Sequence, residues 1–202
     1  DELQSIDTKD VPRYLYHRYR YDVFPSQHRL DAYPPYLQIE PSSICNFKCV
    51  FCYQTDSSYN SRSSGKLGTI TFETFQRICD EIEGKVEFIS LASRGEPLVS
   101  KEIPRICEYT RGKFLGLKMN TNASLLTEAL AHSLLSSGIK TVVFSADAAE
   151  EPLYSKLRVN GTLERTVKNI QMFMDIKAKH YSDSRLITRV SGVKVNEDQD
   201  MN

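Results

Sequence analysis

The chain has 202 residues, 40% of them hydrophobic, enough for one domain with a sizeable core and short appendages. Lys plus Arg balances Asp plus Glu at 26 each, so no bulk field draws the chain to nucleic acid or to an anionic membrane, and partner choice falls to local sites. No run of about 18 apolar residues occurs, so no membrane-spanning helix is expected, and the first residues carry no charged-then-apolar signal pattern.

Bases and aromatics interleave first, at Arg13, Tyr14, Tyr16, His17, Arg18, Tyr19, Arg20 and Tyr21. Such a stretch can stack on single-stranded nucleic acid; the favoured reading is an aromatic packing segment with its basic groups in solvent. Pro34-Pro35 then makes a stiff entry to Tyr36–Glu40, whose alternation reads as a strand.

That strand runs into Cys45-Asn46-Phe47-Lys48-Cys49-Val50-Phe51-Cys52. Three thiolates on so short a loop can hold three corners of a cubic [4Fe-4S] cluster and leave one iron open to a small molecule, which points to chemistry at the cluster rather than electron transfer alone. The alternative is a zinc-binding or redox module, which needs a fourth ligand. Its candidates are poor: His17 and His28 have no paired motif, and His132 and His180 fall in predicted helices. Cys79 shares an apolar helical face with Phe72, Phe75 and Ile82, and Cys107 one with Ile103 and Ile106, so both read as buried core thiols. An exposed thiolate trio also favours the reducing cytosol.

Residues 54–69, rich in Ser, Gly and Thr, read as loop. Thr71 offers an N-cap, with Glu73 in the first turn, for a helix through Glu83 that Gly84 ends. A second strand is expected over Val86–Ala92, a second helix over 101–111, a third strand over Leu115–Met119, and a third helix from Thr127 to Ser137 stopped by Gly138. Thr141–Ser145 is a fourth strand, 162–180 a long helix with Leu163, Val167, Ile170 and Phe173 at helical spacing, and Leu186–Val195 a fifth strand. Strands alternating with helices are the signature of βαβ units and a parallel sheet. In such folds the loops after the strands share one mouth, so the cysteine loop, Ser93–Pro97, Asn120–Asn122 and Ser145–Asp147 are expected to meet there.

With these motifs in this order the chain resembles the radical S-adenosylmethionine (SAM) superfamily, over about residues 36–195, and in particular the branch that often carries a C-terminal SPASM-type auxiliary iron-sulfur domain. The resemblance rests on the three cysteines, Arg94-Gly95-Glu96-Pro97-Leu98, Thr121-Asn122-Ala123, Ser145-Ala146-Asp147, Arg158 and Gly161-Thr162. It implies a partial (β/α)6 TIM-like barrel in the α/β class, truncated after the fifth strand, with 1–35 an N-terminal extension and 36–202 an incomplete core domain. An auxiliary domain would lie past residue 202. It implies two cofactors, a [4Fe-4S] cluster and SAM. One electron from the cluster cleaves SAM to methionine and a 5′-deoxyadenosyl radical, which abstracts hydrogen from a peptide or small-molecule substrate.

By the same resemblance Cys45, Cys49 and Cys52 hold the cluster, Phe51 lies near the adenine, and Gly95 and Glu96 receive the methionyl ammonium. Ser145 is the candidate for the ribose hydroxyls and Arg158 for the carboxylate, which a guanidinium matches through paired donors; an ordinary surface ion pair is the other reading of Arg158. An electron donor such as a flavodoxin or ferredoxin is implied, and no substrate acid or base is named. Arg94, Ala123 and Ala148 stand where glycine is common, and a side chain there would narrow the SAM pocket. A scaffold that keeps the cluster without cleaving SAM is the corresponding alternative.

Overall fold

A computed structural model describes residues 2–92 and 94–195. Its centre is one parallel sheet of β1 (Tyr36–Gln38), β2 (Phe88–Leu91), β3 (Gly116–Thr121), β4 (Thr141–Ser145) and β5 (Ile187–Ser191), hydrogen-bonded in sequence order. The expected partial barrel of parallel strands is what the chain forms. The connecting helices are α2 (Phe72–Ile82), α3 (Ile103–Tyr109), α4 (Glu128–Ser136) and α5 (Leu163–His180), preceded by α1 (Val11–Ser26).

Side chains alternate across a strand, and here one set is apolar. Ile89, Leu91, Leu117, Met119, Val142 and Phe144 are buried in a single core with Phe75, Cys79, Ile106, Cys107, Leu134 and Phe173 from the helices. Cys79 and Cys107 are fully buried, as their apolar stripes imply. The other set, including Gln38, Ser90, Lys118, Asn120, Thr141 and Ser145, faces the concave side.

Local chemistry sets the helix ends. The Thr71 hydroxyl accepts from the Thr74 amide, and Gly84 follows at φ +73, where a Cβ is disfavoured. Gly138 differs from the expectation of a left-handed stop: its φ is not positive, and a Cβ there would lie 2.7 Å from the Arg111 Cα, so it is glycine because α4 leaves past the end of α3. Thr162 likewise makes no cap; the Glu151 carboxylate accepts from the Leu163 amide at 2.6 Å instead. Within 54–69 a short helix, Ser57–Asn60, is capped by Asp56.

The aromatic and basic stretch is α1, which closes the lower end of the sheet. His17 stacks on Phe88 with ring centroids 4.2 Å apart. Arg20 is not in solvent as its composition suggested: it is buried, donates to the Tyr33 and Lys85 carbonyls and pairs with Asp31 at 2.9 Å. No helix among the described residues is long and apolar enough to cross a membrane.

Candidate active site

The loops that follow β1 to β4 meet at the carboxyl end of the sheet around a cavity of about 300 Å³. Cys45, Phe47 and Cys49 line it from the first loop, Gly95 and Glu96 from the second, Asn120, Thr121 and Asn122 from the third strand and its end, and Ser145 and Arg158 from the fourth strand and beyond. Glycine is required at Gly95 because a Cβ would stand 2.6 Å from the Ile44 carbonyl oxygen and closer still to that of Ser42. The close approach it permits is therefore to the backbone just before Cys45, and the Glu96 amide donates to the Ile44 carbonyl at 3.0 Å.

Glu96 is the hub. Its carboxylate is buried and accepts from the Thr121 hydroxyl (2.6 Å), the Asn122 amide (2.8 Å) and the Leu98 amide (3.1 Å). Burial pushes its pKa up, opposed by those three hydrogen bonds and the Arg158 charge. A carboxylate has about four acceptor positions, so Oε2, which among the described residues accepts from Asn122 alone, keeps one for a cation or donor in the cavity.

Arg158 and Asp147 form a buried pair, Nε to Oδ2 at 2.6 Å. It is not a surface pair, so the weak energetics of exposed ion pairs do not apply. The backbone of Arg158 is at the same time the ladder partner of Cys49, in a two-stranded antiparallel ribbon of Lys48–Cys49 with Arg158–Val159. Phe47 sits over Gly161, where a Cβ would meet its ring at 2.6 Å.

The three cysteines are half-buried and free. Burial pushes the Cys45 thiol up to about 11, and burial also raises Cys49 against the nearby Arg158 charge. Cys45 and Cys49 reach the cavity; Cys52 is carried one turn on, outside the lining, with its amide on the Cys49 carbonyl at 2.9 Å. Phe51 is 37% exposed and also outside the lining. The donor chemistry fits an iron-sulfur group: thiols accessible on one loop, unlike the core thiols, and a buried carboxylate and guanidinium across the cavity.

The three departures from glycine resolve separately. The Arg94 side chain turns away and grips the Glu40 carboxylate, with Nη2 to Oε2 at 2.6 Å, so it takes no space from the cavity. Ala123 has φ +58, the left-handed region where glycine is at ease, and Ala148 packs on Tyr154 and Leu157.

Composition and spacing did not single out Asn46, Ser124 and Gln54. Asn46 Nδ2 donates to the Ser124 hydroxyl at 2.8 Å and Asn46 Oδ1 accepts from Asn122 Nδ2 at 3.0 Å, while the Ser124 hydroxyl donates to Asn122 Oδ1 at 2.7 Å. Gln54 donates to the Ser43 and Arg94 carbonyls. These amides clamp the cysteine loop to its neighbours. The only sequence signal is the place of Asn46 inside the cysteine motif.

The family model described as the Radical SAM superfamily matches residues 39–199. The chain is 28% identical over 140 residues to the AdoMet-dependent heme synthase of Methanosarcina barkeri, covering 69% of this chain and 39% of that protein. It is 28% identical over 171 residues to the mycofactocin maturase MftC of Mycobacterium ulcerans, covering 85% and 44%. It thus spans less than half the length of these curated relatives. Among solved structures, Streptococcus suis SuiB bound to its precursor peptide SuiA superposes with a TM-score of 0.67 at 19% identity, over 89% of this chain and 37% of that one. SuiB bound to S-adenosylmethionine superposes at 0.65 and 20%, with the same coverage. At that identity the likeness carries the fold.

Proposed function

The chain belongs to the radical SAM superfamily, enzymes that use a [4Fe-4S] cluster and SAM, and from that premise we propose that Cys45, Cys49 and Cys52 hold the cluster and that SAM occupies the cavity beside it. The observation that carries the reading is the shared cavity: two of the three motif thiols line it together with Glu96, Ser145 and Arg158. Bound there, the cluster would supply the electron for reductive cleavage of SAM, the chemistry that starts hydrogen removal from a substrate.

The chain's residues supply position and charge. Glu96 offers the free acceptor of Oε2 to the methionyl ammonium, and Gly95 lets the loop carrying it lie against the cysteine loop. The Arg158 guanidinium, oriented by Asp147, receives the carboxylate, and Ser145 receives a ribose hydroxyl. Phe51, exposed and outside the cavity lining, is the candidate for the adenine by the family motif alone. Neutral thiols in the cluster-free protein give up protons on ligation, which ties metal loading to pH.

The cluster is favoured over zinc because it is the cofactor of the family the chain belongs to, whereas a zinc centre would need a fourth ligand beside the three cysteines. The peptide class of substrate has the support of SuiB, whose structure holds a precursor peptide; a small molecule is the other class. A low-potential donor such as a flavodoxin or ferredoxin would deliver the electron, in the reducing cytosol that thiol chemistry favours.

Anaerobic reconstitution with iron and sulfide, reduction, and electron paramagnetic resonance (EPR) with and without SAM tests this. A cubane signal perturbed by SAM is expected. A cluster signal indifferent to SAM would leave a scaffold, and stoichiometric zinc with no cluster would refute the assignment.

A further inference from the structure

The cavity covers the upper end of the concave face and reaches Gln38 of β1, which is in register with Ser90 and through it with Lys118, but Lys118 itself is not among its lining residues. Lys118 lies two residues before Asn120 on β3, on the same face, so its Cα is about 7 Å deeper than that of a cavity-lining residue. In register beside it are Ser90 of β2 and Thr141 of β4.

Lys118 is half-buried, and among the described residues no carboxylate lies within 4 Å of its ammonium. The cations around it are placed otherwise: Arg94 is paired with Glu40, Arg158 with Asp147 and Arg13 with Glu87. No inward position of the five strands is Asp or Glu, and Arg189 of β5 is on the same face. Two residues on, Asn120 Oδ1 is buried with no hydrogen-bond partner among the described residues, an acceptor for a donor group of a ligand rather than for its anion. Charges withdrawn from water are ordinarily paired, so an unpaired ammonium on a concave polar face marks the place of an anion brought by a ligand.

We propose that Lys118 recognises an anionic group of the substrate, a carboxylate or a phosphate, so that the substrate lies along the inner face of β2 to β4 with its anionic end below the cavity. The inference rests on the radical SAM reading for calling that ligand the substrate. The anion site itself rests on Lys118, its missing partner and the register of its neighbours. An ammonium is a compact donor that suits either oxyanion.

The test is isothermal titration of the protein, before and after cluster reconstitution, with glutarate, inorganic phosphate and the neutral glutaramide. One charge-assisted hydrogen bond corresponds to about a tenfold change in affinity or more. K118M is expected to weaken whichever anion binds the wild type by about that factor, K118R to retain most of the binding, and glutaramide to show no dependence on residue 118. Preference for glutarate identifies a carboxylate-bearing substrate such as an acidic peptide; preference for phosphate identifies a phosphorylated small molecule. Equal binding of both anions by wild type and K118M overturns the proposal, as does failure of both anions to bind wild type at about 10 mM. Should K118M not fold, K118Q carries the same comparison. The EPR response of the wild type to SAM, measured in parallel, decides the cofactor reading independently.

Discussion

Replacing Gly95 by alanine should unseat the cysteine loop without touching a cysteine. The added Cβ would stand 2.6 Å from the Ile44 carbonyl oxygen and 2.8 Å from the Ser42 carbonyl carbon, against about 3.5 Å or more at ordinary contact. One loop must therefore move by about 1 Å, and both obstacles are backbone, which has no rotamer to yield. Overpacking of this kind costs about 1–3 kcal/mol, and the Glu96–Ile44 backbone hydrogen bond lost with the shift adds about 0.5–1.5 kcal/mol. The sum, about 1.5–4.5 kcal/mol, corresponds to a urea midpoint lowered by about 0.8–2.3 M at a slope of ~2 kcal/mol per M. Iron retained after reconstitution should fall with it, since Cys45 follows Ile44 directly. Gly68→Ala is the control: a Cβ there meets nothing within 4 Å and its φ is not positive, so its midpoint should match the wild type. A Gly95→Ala protein within about 0.5 kcal/mol of wild type, below the size of an ordinary core effect, would refute the claim that this glycine is there for the backbone of residues 42–44.

Asp147→Asn leaves the buried Arg158 guanidinium without its counter-charge and should cost about 3–5 kcal/mol in urea unfolding; a loss under 1 kcal/mol would mean water already screens the pair. At Ala123, glycine relieves the positive φ but gives up a buried methyl, two effects of about 1 kcal/mol each that nearly cancel. Ala123→Val, β-branched in a left-handed position, should cost more than about 2 kcal/mol; equal midpoints for the two variants would contradict the backbone argument. In the cluster-free protein the Cys45 thiol, held at about 11, should alkylate roughly 200-fold more slowly at pH 8 than an ordinary thiol of pKa ~8.5. Because the folded value lies above the reference of 9.0, the protonated thiol's contribution to stability is complete below pH 9 and is lost as pH rises towards 11. Mass-spectrometric alkylation rates that were flat from pH 8 to 10 would contradict this.

What the sequence displays and what it hides follow from the range of the forces involved. The α/β alternation is legible because Phe75, Cys79 and Ile82, or Val142 and Phe144, report their burial through local periodicity alone. The meeting of the cysteine loop with Gly95, Glu96, Ser145 and Arg158 is legible because parallel strands send their loops to one end. Asn46, Ser124 and Gln54 are not legible, since an amide in a loop looks the same whether it is solvated or spans to a carbonyl 40 positions away. Helix α1 hides for a related reason: its aromatics and bases do not form a clean stripe, because Arg20 and His17 are buried by specific partners rather than by apolarity. Gly138 and Gly95 look like turn glycines and are close-approach glycines, a distinction that only the neighbouring backbone makes.

The cysteine loop is gripped from two sides, and the two grips meet at Arg158. On one side Gly95, Glu96, Asn122 and Ser124 tie residues 42–46 to the loops after β2 and β3. On the other, the Cys49–Arg158 ladder, the Val50 amide on the Leu157 carbonyl at 2.9 Å and Phe47 over Gly161 tie residues 47–50 to the segment after β4. Arg158 presents its guanidinium to the cavity while its backbone pairs with Cys49, and Asp147, whose Oδ1 also accepts from the Val193 amide at 2.7 Å, links it onward to the residues after β5. A ligand that pulls on this guanidinium therefore pulls on the backbone of a motif cysteine through one side chain. Preorganisation of this sort fixes the backbone of residues 42–50. It also means that Asp147→Asn should alter both thiol reactivity at Cys49, which feels the Asp147 charge directly as well as that of Arg158, and affinity for a carboxylate ligand at the guanidinium.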